Sequence, residues 1–142
     1  MSNANSILKE HNLKSTESRL TILAIFKKNM HALSYNDIES LLTVKLDRVT
    51  VYRTLKSFEE NGLIHQIYDG SAQVKYALCH TGSCSSDQHK DSHAHFRCDK
   101  CDKTFCLSDV ITPMADLPEG YQSKSQSVFI QGICKVCNHY KN

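Results

Sequence analysis

The chain has no tryptophan and only two prolines and five glycines among its 142 residues. With 40% apolar residues and a negative mean hydropathy, any core it builds must be modest. No apolar run reaches the length of a membrane span, and the N-terminus lacks the apolar centre of a signal peptide. The expected compartment is therefore a reducing cytoplasm. Charge of one sign is also scarce: the net charge is +2. Residues 1–78 carry ten Lys/Arg against eight Asp/Glu, and residues 79–142 carry seven of each. If nucleic acid is bound, the placement of a few cations must do it, because the bulk field is weak. Catalytic signatures are missing too. There is no Gly-rich phosphate loop, no His-Glu-x-x-His and no Gly-x-Ser-x-Gly. A zinc deaminase needs His-x-Glu and Pro-Cys-x-x-Cys, but the chain has His93-Ala94-His95 and neither cysteine pair follows proline. The expectation is a protein that is not an enzyme, with no small-molecule substrate.

What is present is cysteine. Seven is an odd number, which excludes a complete intramolecular disulfide framework. Four of the seven form two matched pairs, Cys98-x-x-Cys101 and Cys134-x-x-Cys137. Two such pairs make a closed tetrahedral thiolate cage for structural zinc, with no coordination position left for chemistry. Two redox motifs would instead need a thioredoxin-like strand–helix context, which the surrounding sequence does not offer. A C-terminal half this small would be marginal without its metal, so binding and folding should be coupled there.

The chain is helical first and strand-rich afterwards. A short helix is expected over residues 6–11. A strong one follows a Ser or Thr cap within residues 15–18, with Leu20, Ile22, Leu23, Ile25 and Phe26 as its apolar side. Ser34 caps another, with Ile38, Leu41 and Leu42 inward. A third major helix begins at Asp47 or Arg48 and stops at Asn61-Gly62. Strands follow over 63–68 and 74–78, with Asp69-Gly70-Ser71 as the turn between them. Polar residues 80–92 read as a linker. Beyond it come strands over 93–98 and 103–106, a short helix over 108–114 and a strand over 122–130. The expected domains are 1–79, a winged helix; 80–92, a linker; and 93–142, a metal-binding domain.

In the helix over 47–61, Val51, Leu55 and Phe58 fall at i, i+4 and i+7 and form one buried stripe. Thr50, Tyr52, Arg53 and Lys56 then point elsewhere. An arginine there can fork onto guanine or a phosphate, and a tyrosine can offer its ring to a thymine methyl. The motif Arg48-Val-Thr-Val-Tyr-Arg-Thr-Leu55, followed by Glu59-Glu-Asn-Gly-Leu-Ile64, resembles the recognition-helix signature of the ferric uptake regulator (Fur) family. Leu13-Lys-Ser-Thr-Glu-Ser-Arg19 with Ile22-Leu23 resembles that family's opening motif. His93-x-His95-x-x-Cys98-x-x-Cys101 and Cys134-x-x-Cys137 complete the likeness, which spans residues 7–137. The resemblance implies an α+β chain: a winged helix, then a C-terminal α/β dimerisation domain with a structural four-cysteine zinc site. It implies a cytoplasmic homodimer that represses transcription from a palindromic double-stranded operator when metal-loaded. DNA contacts are then expected from Lys14, Arg19, Thr50, Tyr52, Arg53 and Lys56.

His93 and His95 lie two apart on an expected strand, so both rings project from one face. Cys98, three residues on, has the opposite parity, so the histidines and the cage should serve different ions. The zinc-sensing branch of the family resembles this chain at two further positions, His65 after Gly62-Leu63-Ile64 and Cys79 after Tyr76-Ala77-Leu78. The implied regulatory set is His65, Cys79, His93 and His95, three nitrogens and one sulfur, and suits Zn²⁺. One structural and one regulatory zinc per chain are expected. The iron-sensing branch would place a Glu at Ala77, and its further site falls on Ser92, Ala94, Pro113 and Gln126, which cannot form a ligand set. An iron- or peroxide-responsive repressor is the alternative. His31, His80, Cys84 and His89 remain open as additional donors, and Cys106 reads as a strand thiol.

Overall fold

The computed structural model describes residues 3–79, 93–111, 113, 115–124, 126 and 128–139. The chain divides into two compact units, Met1–His89 and Lys90–Asn142. The expected linker over 80–92 lies outside the described residues, and with it His80, Cys84 and His89. Among the described residues, no helix is long and apolar enough to cross a membrane.

The N-terminal unit is built from capped helices. Helix α1 (Ala4–Glu10) is followed by α2 (Glu17–Lys28), where the Thr16 side chain accepts from the Arg19 N–H and satisfies one orphan donor of the first turn. Ile22, Leu23, Ile25 and Phe26 of α2 are buried. Strand β1 is only Leu33–Ser34, and Ser34 then opens α3 (Tyr35–Leu41) through a reciprocal capping box with Asp37. Helix α4 (Arg48–Glu60) starts where the Asp47 carboxylate accepts from the Thr50 N–H at 2.8 Å. It buries Val51, Thr54, Leu55 and Phe58. Gly62 lies just past its end with φ of 74°, a left-handed conformation that glycine takes without a Cβ clash.

Strands β2 (Ile64–Ile67) and β3 (Lys75–Leu78) then form an antiparallel hairpin, and β1 adds on the far side of β3. The turn is held by Asp69, a fully buried carboxylate that accepts from the Ser71 N–H at 2.9 Å and pairs with Lys75 Nζ at 2.7 Å. Helices followed by this wing make a winged helix. Its main core cluster runs from Leu8 and Leu13 through Ile22, Leu23 and Phe26 to Leu55, Phe58 and Ile64, with a small second cluster of Ala32, Ile67 and Ala77 under the wing.

The C-terminal unit is a three-stranded sheet in the order β5-β4-β6. Strand β4 (His93–Cys98) pairs antiparallel with β5 (Thr104–Ile111) and parallel with β6 (Val128–Gly132). Helix α5 (Lys135–His139) closes it. Three expectations change. The helix expected over 108–114 is strand as far as Ile111. Pairing steps from Ala94↔Leu107 to His93↔Ile111, so residues 108–110 are absorbed at an irregularity and β-branched Ile111 rejoins the ladder. The strand expected over 122–130 is confined to Val128–Gly132. Helix α5 was not foreseen. Among the described residues, this unit buries little beyond Ala94, His95, Cys98, Thr104 and Cys134.

Candidate functional site

Four cysteines converge at one end of the C-terminal sheet. Cys98 ends β4, and Cys101 follows in a tight turn where the Asp102 N–H donates to the Cys98 carbonyl and Asp102 takes a φ of 59°. Gly132 is the partner of Cys98 across β4–β6, and a Cβ there would sit 3.2 Å from the Phe96 ring. That close approach delivers the chain to Cys134, from which α5 carries Cys137 round. The four sulfurs lie within 4.8 Å of one another, with Cys101 and Cys134 3.9 Å apart. Zinc–sulfur bonds of ~2.3 Å in a tetrahedron imply sulfur–sulfur edges of about 3.8 Å, so the cage fits a structural zinc.

The electrostatics of the cage agree. Burial pushes the Cys98 thiol up, but backbone N–H groups of Cys134, Cys101 and Lys100 aim at its sulfur and bring it down to about 6. Cys134 N lies 3.3 Å from that sulfur and Cys101 N 3.5 Å. Burial raises Cys101, and burial together with its neighbouring thiols pushes Cys137 up to about 12. Cys98 ionises readily, and Cys101 and Cys137 resist ionising beside it. A dication reverses that balance and displaces the remaining protons.

A second pair of donors sits in the wing. His65 of β2 pairs opposite Ala77, and Cys79 lies two residues beyond Ala77, diagonal to His65 across the hairpin. His65 Nδ1 is 3.3 Å from Cys79 Sγ, and the imidazole is only 2% exposed. In the C-terminal unit, His95 is 4% exposed and pairs directly with Cys106 of β5, their ligand atoms within 4.8 Å. His95 is not part of the four-cysteine group, as the strand parity anticipated. Cys106 is the donor that residue spacing could not assign, because only the β4–β5 register brings it to His95. His93 heads β4, and its side chain lies outside the described residues. His31 belongs to no metal-holding group among the described residues. Gln126 is occupied by backbone, donating to the Pro113 carbonyl and accepting from the Ala115 N–H.

A third set faces solvent on the N-terminal unit. Lys14, Thr16, Arg19, Thr50, Arg53 and Ser57 line a recess of about 420 Å³ between the start of α2 and the middle of α4. Arg19 is anchored there by donating from Nη1 to the Lys14 carbonyl at 3.0 Å. Three cations and a fringe of hydroxyls suit an anionic oxygen. Tyr52 and Lys56 stand exposed on α4 and do not line the recess.

A family model described as the ferric uptake regulator family matches residues 10–131. The ferric uptake regulation protein of Haemophilus influenzae is 32% identical over 143 aligned positions, covering 94% of this chain and 90% of that protein. The zinc uptake regulation protein of Escherichia coli is 28% identical, covering 96% of this chain and 80% of that protein. A solved structure of a zinc uptake regulator complexed with zinc and DNA matches with a TM-score of 0.64 at 24% identity. It covers 96% of this chain and 91% of that one, and is a likeness of fold.

Proposed function

Because this chain belongs to the ferric uptake regulator family, we propose that it is a zinc-responsive repressor that binds a palindromic DNA operator as a homodimer. The coarser statement holds from the family itself: this is a metal-responsive, DNA-binding transcription regulator and not an enzyme. The choice of zinc rests on one observation above all, the part-buried contact of His65 Nδ1 with Cys79 Sγ at 3.3 Å. A thiolate donor favours zinc over iron or manganese, which prefer carboxylate and nitrogen ligands. We assign the regulatory ion to His65, Cys79, His93 and His95, and the structural ion to Cys98, Cys101, Cys134 and Cys137.

His65 and Cys79 belong to the N-terminal unit and His93 and His95 to the C-terminal one. An ion held by donors from both restrains the segment between them, and so favours the spacing of two reading heads that a two-fold operator demands. Lys14, Arg19, Thr50 and Arg53 approach the phosphates from their shared recess, while Tyr52 and Lys56 reach beyond it on α4. In support of self-association, β6 is an edge strand and leaves Phe129 and Ile130 more than a third exposed.

One observation favours a second reading, iron or peroxide sensing: the 32% identity to a ferric uptake regulation protein. Metal analysis separates the two. Purified protein should hold two zinc ions per chain, falling to one after mild chelation. A single zinc throughout, with a labile site that takes only iron, would favour the second reading.

A further inference from the structure

Helices α3 and α4 each present an aromatic ring at the surface, and the two rings are stacked. Tyr35 is the first residue of α3 and Tyr52 lies in the second turn of α4. Their centroids are 4.5 Å apart with an interplanar angle of 9°. The Arg48 guanidinium, one turn before Tyr52 on α4, lies 5.4 Å from the centroid of the Tyr35 ring. A cation and two parallel rings therefore form a short ladder bridging the starts of two helices.

The two rings differ in how firmly they are mounted. Tyr35 is half-buried and packs against the N-terminal core. Its backbone is fixed by the Ser34–Asp37 capping box, with bonds of 3.1 and 2.9 Å. Tyr52 is 49% exposed on the solvent side of α4. A free surface tyrosine samples several rotamers, and docking it against a base edge costs the entropy of choosing one. The stack makes that choice in advance.

We infer that Tyr35 is a positioning residue for DNA recognition: stacked with Tyr52 and capped by Arg48, it holds the Tyr52 ring in one orientation for the major groove. The inference rests on the DNA-binding reading above and adds a residue on α3 that no recognition-helix motif contains. The hydroxyl of Tyr35 hydrogen-bonds Arg48, whereas the stack with Tyr52 is made by the ring alone, so in this inference phenylalanine must substitute at residue 35 and alanine must not. Tyr35 also acts only through Tyr52, so removing both rings should cost no more than removing one.

The experiment starts from a duplex operator enriched by the wild-type protein from a random library. Affinities for that operator and for unselected DNA of equal length are measured for wild type, Tyr35→Ala, Tyr35→Phe, Tyr52→Ala and the Tyr35→Ala/Tyr52→Ala double variant. Tyr35→Ala is expected to reduce the ratio of operator to unselected binding by roughly two- to tenfold, leaving unselected binding unchanged. Tyr35→Phe should keep the wild-type ratio, and the double variant should match Tyr52→Ala. In DNA-free protein, the ring-current shift of the Tyr52 ring protons should persist in Tyr35→Phe and vanish in Tyr35→Ala. Equal ratios for wild type and Tyr35→Ala, or additive losses in the double variant, overturn the inference while leaving the DNA-binding reading intact. A wild-type protein that enriches no sequence overturns the DNA-binding reading itself and the inference with it.

Discussion

At the scale of single residues, the chain places cysteines in two different settings. Cys98, Cys101, Cys134 and Cys137 surround one point, and the unit that carries them buries few apolar side chains among its described residues. In the proposed function, metal binding there substitutes for a hydrophobic core. Cys79 instead stands beside one imidazole in a wing whose fold already rests on a large apolar cluster. The two kinds of cysteine should fail differently. Cys134→Ser is expected to release the permanent zinc and abolish cooperative thermal unfolding of the C-terminal unit, read by circular dichroism. Cys79→Ser should leave the melting profile nearly unchanged and remove only the chelator-labile ion, read by metal analysis. Loss of the permanent zinc in Cys79→Ser would contradict the separation of the two sites.

At the scale of elements, α4 depends on its first turn. Hydrogen bonds from the Thr50 side chain and then from the Thr50 N–H hold the Asp47 carboxyl below the ordinary carboxylate range. A carboxyl whose pKa is depressed by folding contributes stability that is present above its unfolded pKa of about 3.9. The contribution disappears as pH falls through the lower folded value. Wild type and Asp47→Asn should therefore differ in the pH dependence of their melting temperatures only in the acid range, with wild type losing more as pH falls below about 4. Parallel curves over that range would show that the cap carries no charge-dependent stability.

The same scale shows what the amino-acid pattern made legible. Asp47, Gly62 and the stripe Val51–Leu55–Phe58 mark α4 because caps and a 3.6-residue period are local signals. Ser34 marks α3 for the same reason. Residues 108–111 misled because Ser108-Asp109 looks like a helix start, whereas β4 offers a ladder that extends β5 through an irregularity. Long-range pairing outweighed local propensity there. Helix α5 spans only five residues, too short for periodicity. It is set by the need to turn Cys134 and Cys137 toward one point, with the Asn138 N–H donating to the Cys134 carbonyl at 2.8 Å. Cys106 beside His95 and Tyr35 beside Tyr52 were hidden for one reason: each pair joins residues distant in sequence through a register or a helix packing that no local window contains.

At the scale of the whole molecule, a net charge of +2 gives weak steering toward DNA, so occupancy of an operator must respond to geometry. The recess gathers three cations, Lys14, Arg19 and Arg53, on one face of the N-terminal unit. The regulatory ion adds no contact to DNA in this account. In the proposed mechanism it lowers the entropic cost of arranging the units for simultaneous binding, a coupling of ~1–3 kcal/mol that corresponds to roughly five- to 150-fold in affinity. The direct measurement is fluorescence anisotropy on a labelled duplex carrying the enriched operator, with protein whose labile zinc has been removed and then restored while the four-cysteine zinc stays in place. The account predicts operator binding at least about fivefold tighter with the labile zinc restored, and no such gain in His65→Ala. Equal affinity with and without that ion would contradict it.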